Sequence, residues 1–381
     1  MQIAVLTNEF EPVIIGGLGI VATQLSNALH ARGHELLVIT RGGGGSEVSD
    51  REQGGLRIIR FPSASEYHSR TQQRLYAGPV LHYLRRLRKR PDIIHAHSLQ
   101  ADELAIGMRD AFYAQIIYTC HSLVSKENQP IHSSPHMEIR QKRFMETADA
   151  IISPSKWQAA VLLQQYPAAL SKLYVVPNGV TPLSVFTLNG LRRKEQLLFA
   201  GRLVRQKGVA EAIAAVADLK NMERRVRLDI IGKGTPDYVK YLQALSRRLH
   251  VSRHVRFLGQ CSHQTVLHRM RSAGAVVMPS RNESFGLVAL EAMATGTPLV
   301  STQAGGLRDF VDGGTAAIIE SSTSDAISKA VAQVWLQKER TRKRQRAAFE
   351  RSLHYTWDIV ASQYEEVMDG TAVHYSPAQN E

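Results

Sequence analysis

Cysteine is scarce in this chain of 381 residues. The two cysteines, Cys120 and Cys261, lie far apart and lack the spacing of metal ligands, so we expect a reducing cytoplasm. Long apolar runs are also missing: no stretch reaches the about 18 apolar residues that a spanning helix needs. The N-terminal MQIAVLTNEF has no basic start and leads directly into a strand pattern, which does not favour a signal peptide.

Nucleic-acid motifs are missing as well, since no RNP, zinc-finger or basic-zipper pattern occurs. Positive charge is abundant: 47 Lys and Arg residues against 34 Asp and Glu residues give a net charge of +13, and both halves of the chain share the excess. This balance suits an anionic ligand or an anionic membrane. The basic stretch YLRRLRKR (83–90) has two possible interpretations: weak peripheral contact with the inner face of the membrane, or a solvated helix end.

Short apolar, β-rich segments alternate with helical segments twice along the chain. Strands are predicted at 3–7, 36–40, 56–60, 92–97, 115–120, 150–153 and 173–176, and helices at 19–31 and 74–89. After a linker at 175–182, strands are predicted at 197–201, 227–232, 255–259, 275–280, 298–302 and 316–320. The pattern predicts an α/β fold of two doubly wound parallel sheets, with ligands in a cleft beyond the carboxyl ends of the strands.

Two glutamates stand eight positions apart in SRNESFGLVALEAMATGTP (280–298). We place Glu283 in a loop and Glu291 about two turns into a helix, where eight residues would rise about 12 Å. The two carboxylates therefore suit the two ends of an elongated, hydroxyl-rich ligand. The alternative is that Glu283 only favours the helix N-terminus and that Glu291 is a solvated helix residue. The first N–H groups of the helix are further donors.

Two more loops supply groups that suit a phosphate. FAGRLVRQKGV (199–209) places Gly201, Arg202 and Lys207 after a strand, and an arginine beside a lysine suits a diphosphate. STQAGGLRDFV (301–311) adds two adjacent glycines before a helix, where backbone N–H groups can approach an anion. The alternative for both cations is a solvated basic loop.

In their order along the chain, the three motifs resemble those of the retaining glycosyltransferases of family 4, which have the two-Rossmann GT-B fold. The resemblance covers nearly the whole chain and includes YTWDIVASQYEEV (355–367), similar to the last helix that crosses back to the N-terminal domain in that family. It implies an acceptor-side Rossmann-like domain at 1–178, a nucleotide-sugar domain at 179–354, and a returning helix with a tail at 355–381.

The resemblance also implies roles for single residues. Glu283 would bind hydroxyls of the transferred sugar, Glu291 the ribose, and Arg202 and Lys207 the diphosphate, while the base would lie near 258–261. The donor-binding residues are expected to be Gly16, Gly17, Gly201, Arg202, Lys207, Glu283, Ser284, Phe285, Gly286, Leu287 and Glu291. The catalytic residues are expected to be His121, Glu283, Arg202 and Lys207.

In the first domain, PVIIGGLGIVATQLSNALHARGHE (12–35) matches the glycine loop and first helix of the family. Its G-G-x-G spacing is not G-x-G-x-x-G, and no acidic residue follows near position 38, so a dinucleotide site is disfavoured. His121 lies at a strand end in YTCHSLV (118–124), where the family has a histidine near the anomeric centre. A histidine satisfied within its loop is the alternative. Weaker acceptor-side candidates are His97, Lys126, Arg140 and Arg143. For the three cations, a position on a solvated face is the alternative.

The chain contains no D-x-D motif, which many glycosyltransferases use to hold a metal at the leaving group. We therefore expect no metal and no cofactor, with Arg202, Lys207 and helix N-termini stabilising the departing diphosphate. The resemblance implies transfer of a hexose, with retention, from UDP-glucose or UDP-GlcNAc to a hydroxyl of a sugar, cyclitol, lipid or other small molecule, and we expect this transfer to be metal-independent. The alternatives are a nucleotide-sugar epimerase and a non-catalytic binding protein of the same fold. We expect no nucleic-acid partner and a cytoplasmic monomer or homodimer.

Overall fold

The computed structural model describes residues 1–42, 48–62, 70–87, 90–126, 135–183, 193–222 and 225–377. The chain separates into two compact units. The first unit combines Met1–Gly179 with Trp357–Glu381, and the second is Val180–Thr356. No helix in the described part of the chain is both long enough and apolar enough to cross a membrane.

Strands and helices alternate through both units. The strands are β1 (Gln2–Leu6), β2 (Glu35–Arg41), β3 (Ser49–Gln53), β4 (Leu56–Phe61), β5 (Ile93–Ala96), β6 (Gln115–Thr119), β7 (Ala150–Ser153), β8 (Leu173–Val175), β9 (Arg193–Ala200), β10 (Arg227–Ile231), β11 (Val255–Gly259), β12 (Ala273–Met278), β13 (Leu299–Ser301) and β14 (Ala317–Ile318). The helices are α1 (Gly17–Ala31), α2 (Arg70–Arg86), α3 (Asp102–Phe112), α4 (Pro135–Thr147), α5 (Lys156–Gln165), α6 (Val209–Asn221), α7 (Pro236–Arg248), α8 (His263–Ser272), α9 (Leu287–Ala294), α10 (Ser324–Leu336), α11 (Lys338–Ser352) and α12 (Trp357–Met368).

The sheet of the first unit has, within the described residues, the strand order β3-β4-β2-β1-β5-β6-β7-β8. Its neighbours pair in parallel except at the edge, where β3 runs antiparallel to β4. The seven parallel strands are those that the apolar segments predict. The sequence prediction missed β3, because its residues SDREQ are polar and largely exposed and carry no apolar pattern.

The last helix, α12, packs on the first unit. Arg32 at the end of α1 donates to Asp358 and Glu365, in each case at 2.8 Å. The hydroxyl of the buried Tyr364 lies 3.1 Å from the hydroxyl of Thr119 at the end of β6. The predicted return of the last helix to the N-terminal domain is therefore confirmed.

The sheet of the second unit is parallel, with the order β11-β10-β9-β12-β13-β14 among the described residues. The next strand along the chain after β9 is β10, which pairs with one edge of β9. Strand β12 pairs with the other edge of β9. The strand order thus reverses between β9 and β12, and loops at such a point are where open α/β sheets bind ligands. With the parallel strands of the first unit, this topology confirms the predicted pair of doubly wound α/β domains.

Candidate functional site

The loops that follow β9 and β12 meet at an ion pair. The Nζ atom of Lys207 lies 2.6 Å from Oε1 of Glu283, and the hydroxyl of Ser280 donates to the same oxygen at 2.8 Å. Glu283 is only 9% exposed. A cation and a hydroxyl thus both contact this nearly buried carboxylate. The fold thus joins two of the predicted catalytic residues, and the contact with Ser280 was not predicted.

Backbone contacts hold the three loops of this region together. The N–H of Arg281 donates to the carbonyl of Gln206 at 2.8 Å, and the N–H of Gly306 donates to the carbonyl of Glu283 at 2.8 Å. Gly305 has a φ of +62°, and a Cβ built there would overlap the carbonyl oxygen of Glu283. The glycine pair predicted to approach an anion thus supports the backbone of Glu283 in this structure.

We expect Gly305→Ala to disturb the placement of Glu283. A left-handed backbone costs alanine about 1–2 kcal/mol, and the overlap with the Glu283 carbonyl adds about 1–3 kcal/mol as overpacking. Urea unfolding of the variant measures this loss, beside the rate of sugar transfer. Gly313→Ala is the matched control, because a Cβ at Gly313 meets nothing within 4 Å. Equal stability of the two variants would contradict the assigned contact.

The helix that carries the second glutamate starts later than the sequence suggests. Helix α9 begins at Leu287 with Gly286 as its N-cap, so Glu291 lies one turn into the helix, and the predicted two turns are wrong. Glu291 is 3% exposed, and its Oε1 lies 2.6 Å from Nε2 of His263. A solvated helix residue is therefore excluded for Glu291. His263 was missed, although its place just after the end of β11 is a signal that could have found it.

The other residues of the second unit that are expected to bind the donor lie in the same loops or in the neighbouring segment 258–261. Gly201 and Arg202 follow β9, where Arg202 is exposed. The side chain of Phe285 is buried, and its ring packs on Phe310 at a centroid distance of 5.0 Å. Only its backbone can then serve a ligand, as predicted for the N–H groups of 285–287. Ser284 directly precedes these residues, and Leu258 and Cys261 of the expected base region pack against the apolar core.

Three histidines cluster at the carboxyl ends of β5 and β6 in the first unit. Nδ1 of His97 lies 3.0 Å from Nε2 of His121, and their rings stack at a centroid distance of 5.2 Å. Nε2 of His95 lies 2.8 Å from the hydroxyl of Thr119. Burial lowers the pKa of His121 to about 4 and, with the nearby His121, that of His95 to about 3. Burial also holds the pKa of His97 well below its usual range, so the cluster is neutral at pH 7.

We expect the stability of the folded chain to fall as the pH drops from about 6.5 to about 4. The unfolded chain protonates His121 near pH 6.5, whereas the folded chain does so only near its lowered pKa of about 4. Protons are thus taken up on unfolding in this window, which costs about 1–2 kcal/mol for one such group at pH 5. The free energy of unfolding at pH 7 and pH 5 measures the effect. His121→Gln should show a smaller pH dependence, and an unchanged dependence would contradict the assignment.

The glycine loop of the first unit is closed by an acidic side chain. Oε2 of Glu9 accepts the N–H groups of Ile15 and Gly16, both at 2.8 Å. Gly16 is the N-cap of α1, and Gly17 is its first residue. The amide of Gly16, which was expected to bind the donor, is thus already engaged with a carboxylate. Sequence reasoning missed Glu9, which stands just after β1.

The acceptor-side candidates divide into exposed and internal residues. Arg140 is buried and donates from Nε to Asp102 at 3.0 Å, which favours a structural role over the predicted one. His97 is also buried. Arg143 is partly exposed with its guanidinium 3.5 Å from Glu103, and Lys126 is exposed at the end of a short 3-10 turn. Lys126 and Arg143 thus remain the exposed cations among these candidates.

The sequence matches two family models that together span most of the chain. Residues 15–182 match Glycosyltransferase Family 4, and residues 188–351 match Glycosyl transferases group 1. A glycogen synthase of Mycobacterium tuberculosis is 30% identical over 388 residues, covering 95% of this chain and 93% of the relative. A D-inositol 3-phosphate glycosyltransferase of Corynebacterium diphtheriae is 27% identical, covering 94% of this chain and 90% of the relative.

Solved structures show the same fold. Sucrose-phosphate synthase from Thermosynechococcus elongatus has a TM-score of 0.82 at 22% identity, covering 97% of this chain and 98% of that chain. Anabaena HepE, solved in complex with UDP and glucose, has a TM-score of 0.78 at 20% identity, covering 97% of this chain and 100% of that chain. Family models, relatives and fold agree: the chain belongs to the family 4, group 1 glycosyltransferases of the GT-B type, which transfer a sugar from a nucleotide-sugar donor.

Proposed function

We propose that the protein transfers a hexose, with retention of anomeric configuration and without a metal, from a UDP-sugar to a hydroxyl acceptor. The observation that carries this proposal is the Lys207–Glu283 pair between the loops after β9 and β12. A carboxylate accepts hydrogen bonds from sugar hydroxyls, and the neighbouring ammonium stabilises a diphosphate. The two members of this ion pair thus suit the two groups that the breaking bond joins, the sugar and the diphosphate.

In the proposed step, the bond between the anomeric carbon and the β-phosphate oxygen breaks, and its electron pair stays on the phosphate. The acceptor hydroxyl attacks from the same face, and its proton passes to the leaving phosphate oxygen. Lys207 and Arg202 stabilise the negative charge that develops on the leaving group. His121, neutral through its lowered pKa, offers a hydrogen bond to the sugar or the acceptor rather than a charge.

The donor is proposed to be UDP-glucose or UDP-GlcNAc, and the UDP and glucose complex of Anabaena HepE supports the first. The acceptor is proposed to be a polyhydroxylated compound, since the names of the relatives point to a glucan or an inositol phosphate. The excess of basic residues suits a phosphorylated acceptor of this kind.

The proposed location is the cytoplasm, with weak contact at the inner face of the membrane. The last turn of α2 exposes Arg85 and Arg86, whereas Leu84 beside them is buried in the core. Contact through the described part of this stretch would therefore rest on the charge of these two arginines, and residues 88 and 89 lie outside the described residues.

Nuclear magnetic resonance of the product tests the proposal. UDP-glucose and UDP-GlcNAc are offered with glucan and inositol phosphate acceptors, with and without EDTA. The expected product has the α configuration of the donor, at a rate that EDTA leaves unchanged. Inversion, or loss of activity that Mg²⁺ or Mn²⁺ restores, would contradict the proposed chemistry. Epimerised UDP-sugar without acceptor turnover would instead support the epimerase alternative.

A further inference from the structure

The first residue of α8 contacts the second glutamate of the motif. Ser262 caps this helix through its hydroxyl, which accepts the N–H of Thr265, and His263 follows as its first helical residue. The imidazole Nε2 lies 2.6 Å from Oε1 of Glu291. The Glu291 side chain is 4% exposed, whereas that of His263 is 22% exposed. The histidine is therefore the more exposed member of this pair.

A carboxylate buried to this degree needs a hydrogen-bond donor to hold one fixed orientation. The imidazole supplies this donor through Nε2, and the capped start of α8 fixes the position of its backbone. The carboxylate can still accept further hydrogen bonds, since its two oxygens together have about four acceptor positions. The contact thus orients Glu291 without saturating it.

We infer that His263 is a positioning residue for Glu291 and sets how strongly the site recognises the ribose hydroxyls of the donor. This inference rests on the proposed transfer from a UDP-sugar, together with the ribose role that the family resemblance implies for Glu291. A carboxylate binds a vicinal diol well only when both oxygens are held in the right plane. His263 holds that plane, so its removal weakens the recognition of hydroxyls more than the binding of the base and the diphosphate.

The inference predicts a loss of selectivity and not only a loss of affinity. His263→Ala should weaken UDP binding about tenfold, which corresponds to 1.4 kcal/mol. It should weaken the binding of 2′-deoxy-UDP and 3′-deoxy-UDP much less. Each deoxynucleotide lacks one of the two ribose hydroxyls, so a hydroxyl contact that the substitution disturbs is already missing. The discrimination between UDP and the deoxynucleotides should therefore fall. His263→Gln should restore part of it, because its amide N–H can donate to the same carboxylate.

Calorimetry with UDP and the two deoxynucleotides tests the inference on the full chain. His268→Ala is the matched control, since His268 lies on the same helix with its side chain exposed. Thermal melting of each variant checks that it is folded. Unchanged UDP affinity in His263→Ala would overturn the inference. So would a loss shared equally by UDP and the deoxynucleotides, because that result indicates a structural role.

Glu291→Ala separates this inference from the proposed function beneath it. If Glu291→Ala loses discrimination while His263→Ala keeps it, the ribose role of Glu291 stands and the role of His263 fails. If Glu291→Ala itself keeps both UDP affinity and discrimination, the proposed ribose contact is wrong. Parallel losses of discrimination in His263→Ala and Glu291→Ala, with partial recovery in His263→Gln, support both statements.

Discussion

Lys207→Ala should lower turnover about 10²–10³-fold, the loss usually seen when a preorganised group that stabilises transition-state charge is removed. The same change should destabilise the second unit. Lys207 lies 2.6 Å from the carboxylate of Glu283, which is 9% exposed, so its removal leaves a buried anion without its cation. Breaking a buried pair from one side costs about 3–5 kcal/mol. Steady-state rates and urea unfolding of the same preparations measure the two effects.

Two further variants separate the effect on turnover from the effect on stability. Lys329→Ala removes the same charge from a largely exposed pair, 2.7 Å from Asp325, and should change neither rate nor stability. The double variant Lys207→Ala with Glu283→Gln should recover stability, because no buried charge remains, while turnover stays low. Recovery of turnover in the double variant would show that Lys207 only neutralises Glu283 and has no role at the diphosphate.

The two glutamates should differ in the ligand that each alanine variant loses. Glu291→Ala should weaken UDP and UDP-sugar alike, by about 1.5–3 kcal/mol for hydrogen bonds to a charged group. Glu283→Ala should leave UDP binding nearly intact but reduce turnover and sugar discrimination, because its contacts are made to the sugar being transferred. Calorimetry with UDP, beside steady-state rates with both UDP-sugars, measures the difference.

Glu350→Ala is the control for the loss of a carboxylate, since Glu350 is exposed on α11 and pairs with Arg346 at 3.0 Å. It should match the unmodified protein in both measurements. If Glu283→Ala loses UDP as strongly as Glu291→Ala, the sugar and ribose ends are assigned to the wrong residues. If neither variant changes the use of the donor, both carboxylates serve the fold alone.

The sequence predicted the parallel strands because their apolar residues make them visible without any knowledge of their partners. Edge strand β3 had no such signal, because SDREQ is polar and mostly exposed and depends on pairing with β4. The start of α9 was misplaced for a related reason. Phe285 is apolar and fits the helical spacing, but Gly286 after it has a φ of +107°, so the helix begins only at Leu287.

At the site, the sequence identified single residues but not their partners. Glu283 and Lys207 were both expected to meet the donor, yet only the strand order shows that they meet each other. His263 and Glu291 are 28 positions apart in the sequence. They pair because α8, which begins with His263 after β11, lies next to α9, which carries Glu291. Arg140 was considered as an acceptor-side or a solvated arginine, and the structure buries it against Asp102. Pairing between distant residues is a property of the fold.

The return of α12 to the first unit sets an order for folding during synthesis. Most domains complete their packing as they leave the ribosome, from the N-terminus onward. Here residues 1–179 leave first, but Arg32 and Thr119 meet Glu365 and Tyr364 only after the whole second unit has been made. The second unit, continuous from Val180 to Thr356, can therefore reach its native contacts earlier. The first unit therefore completes its structure after the second, although most of it is translated before the second.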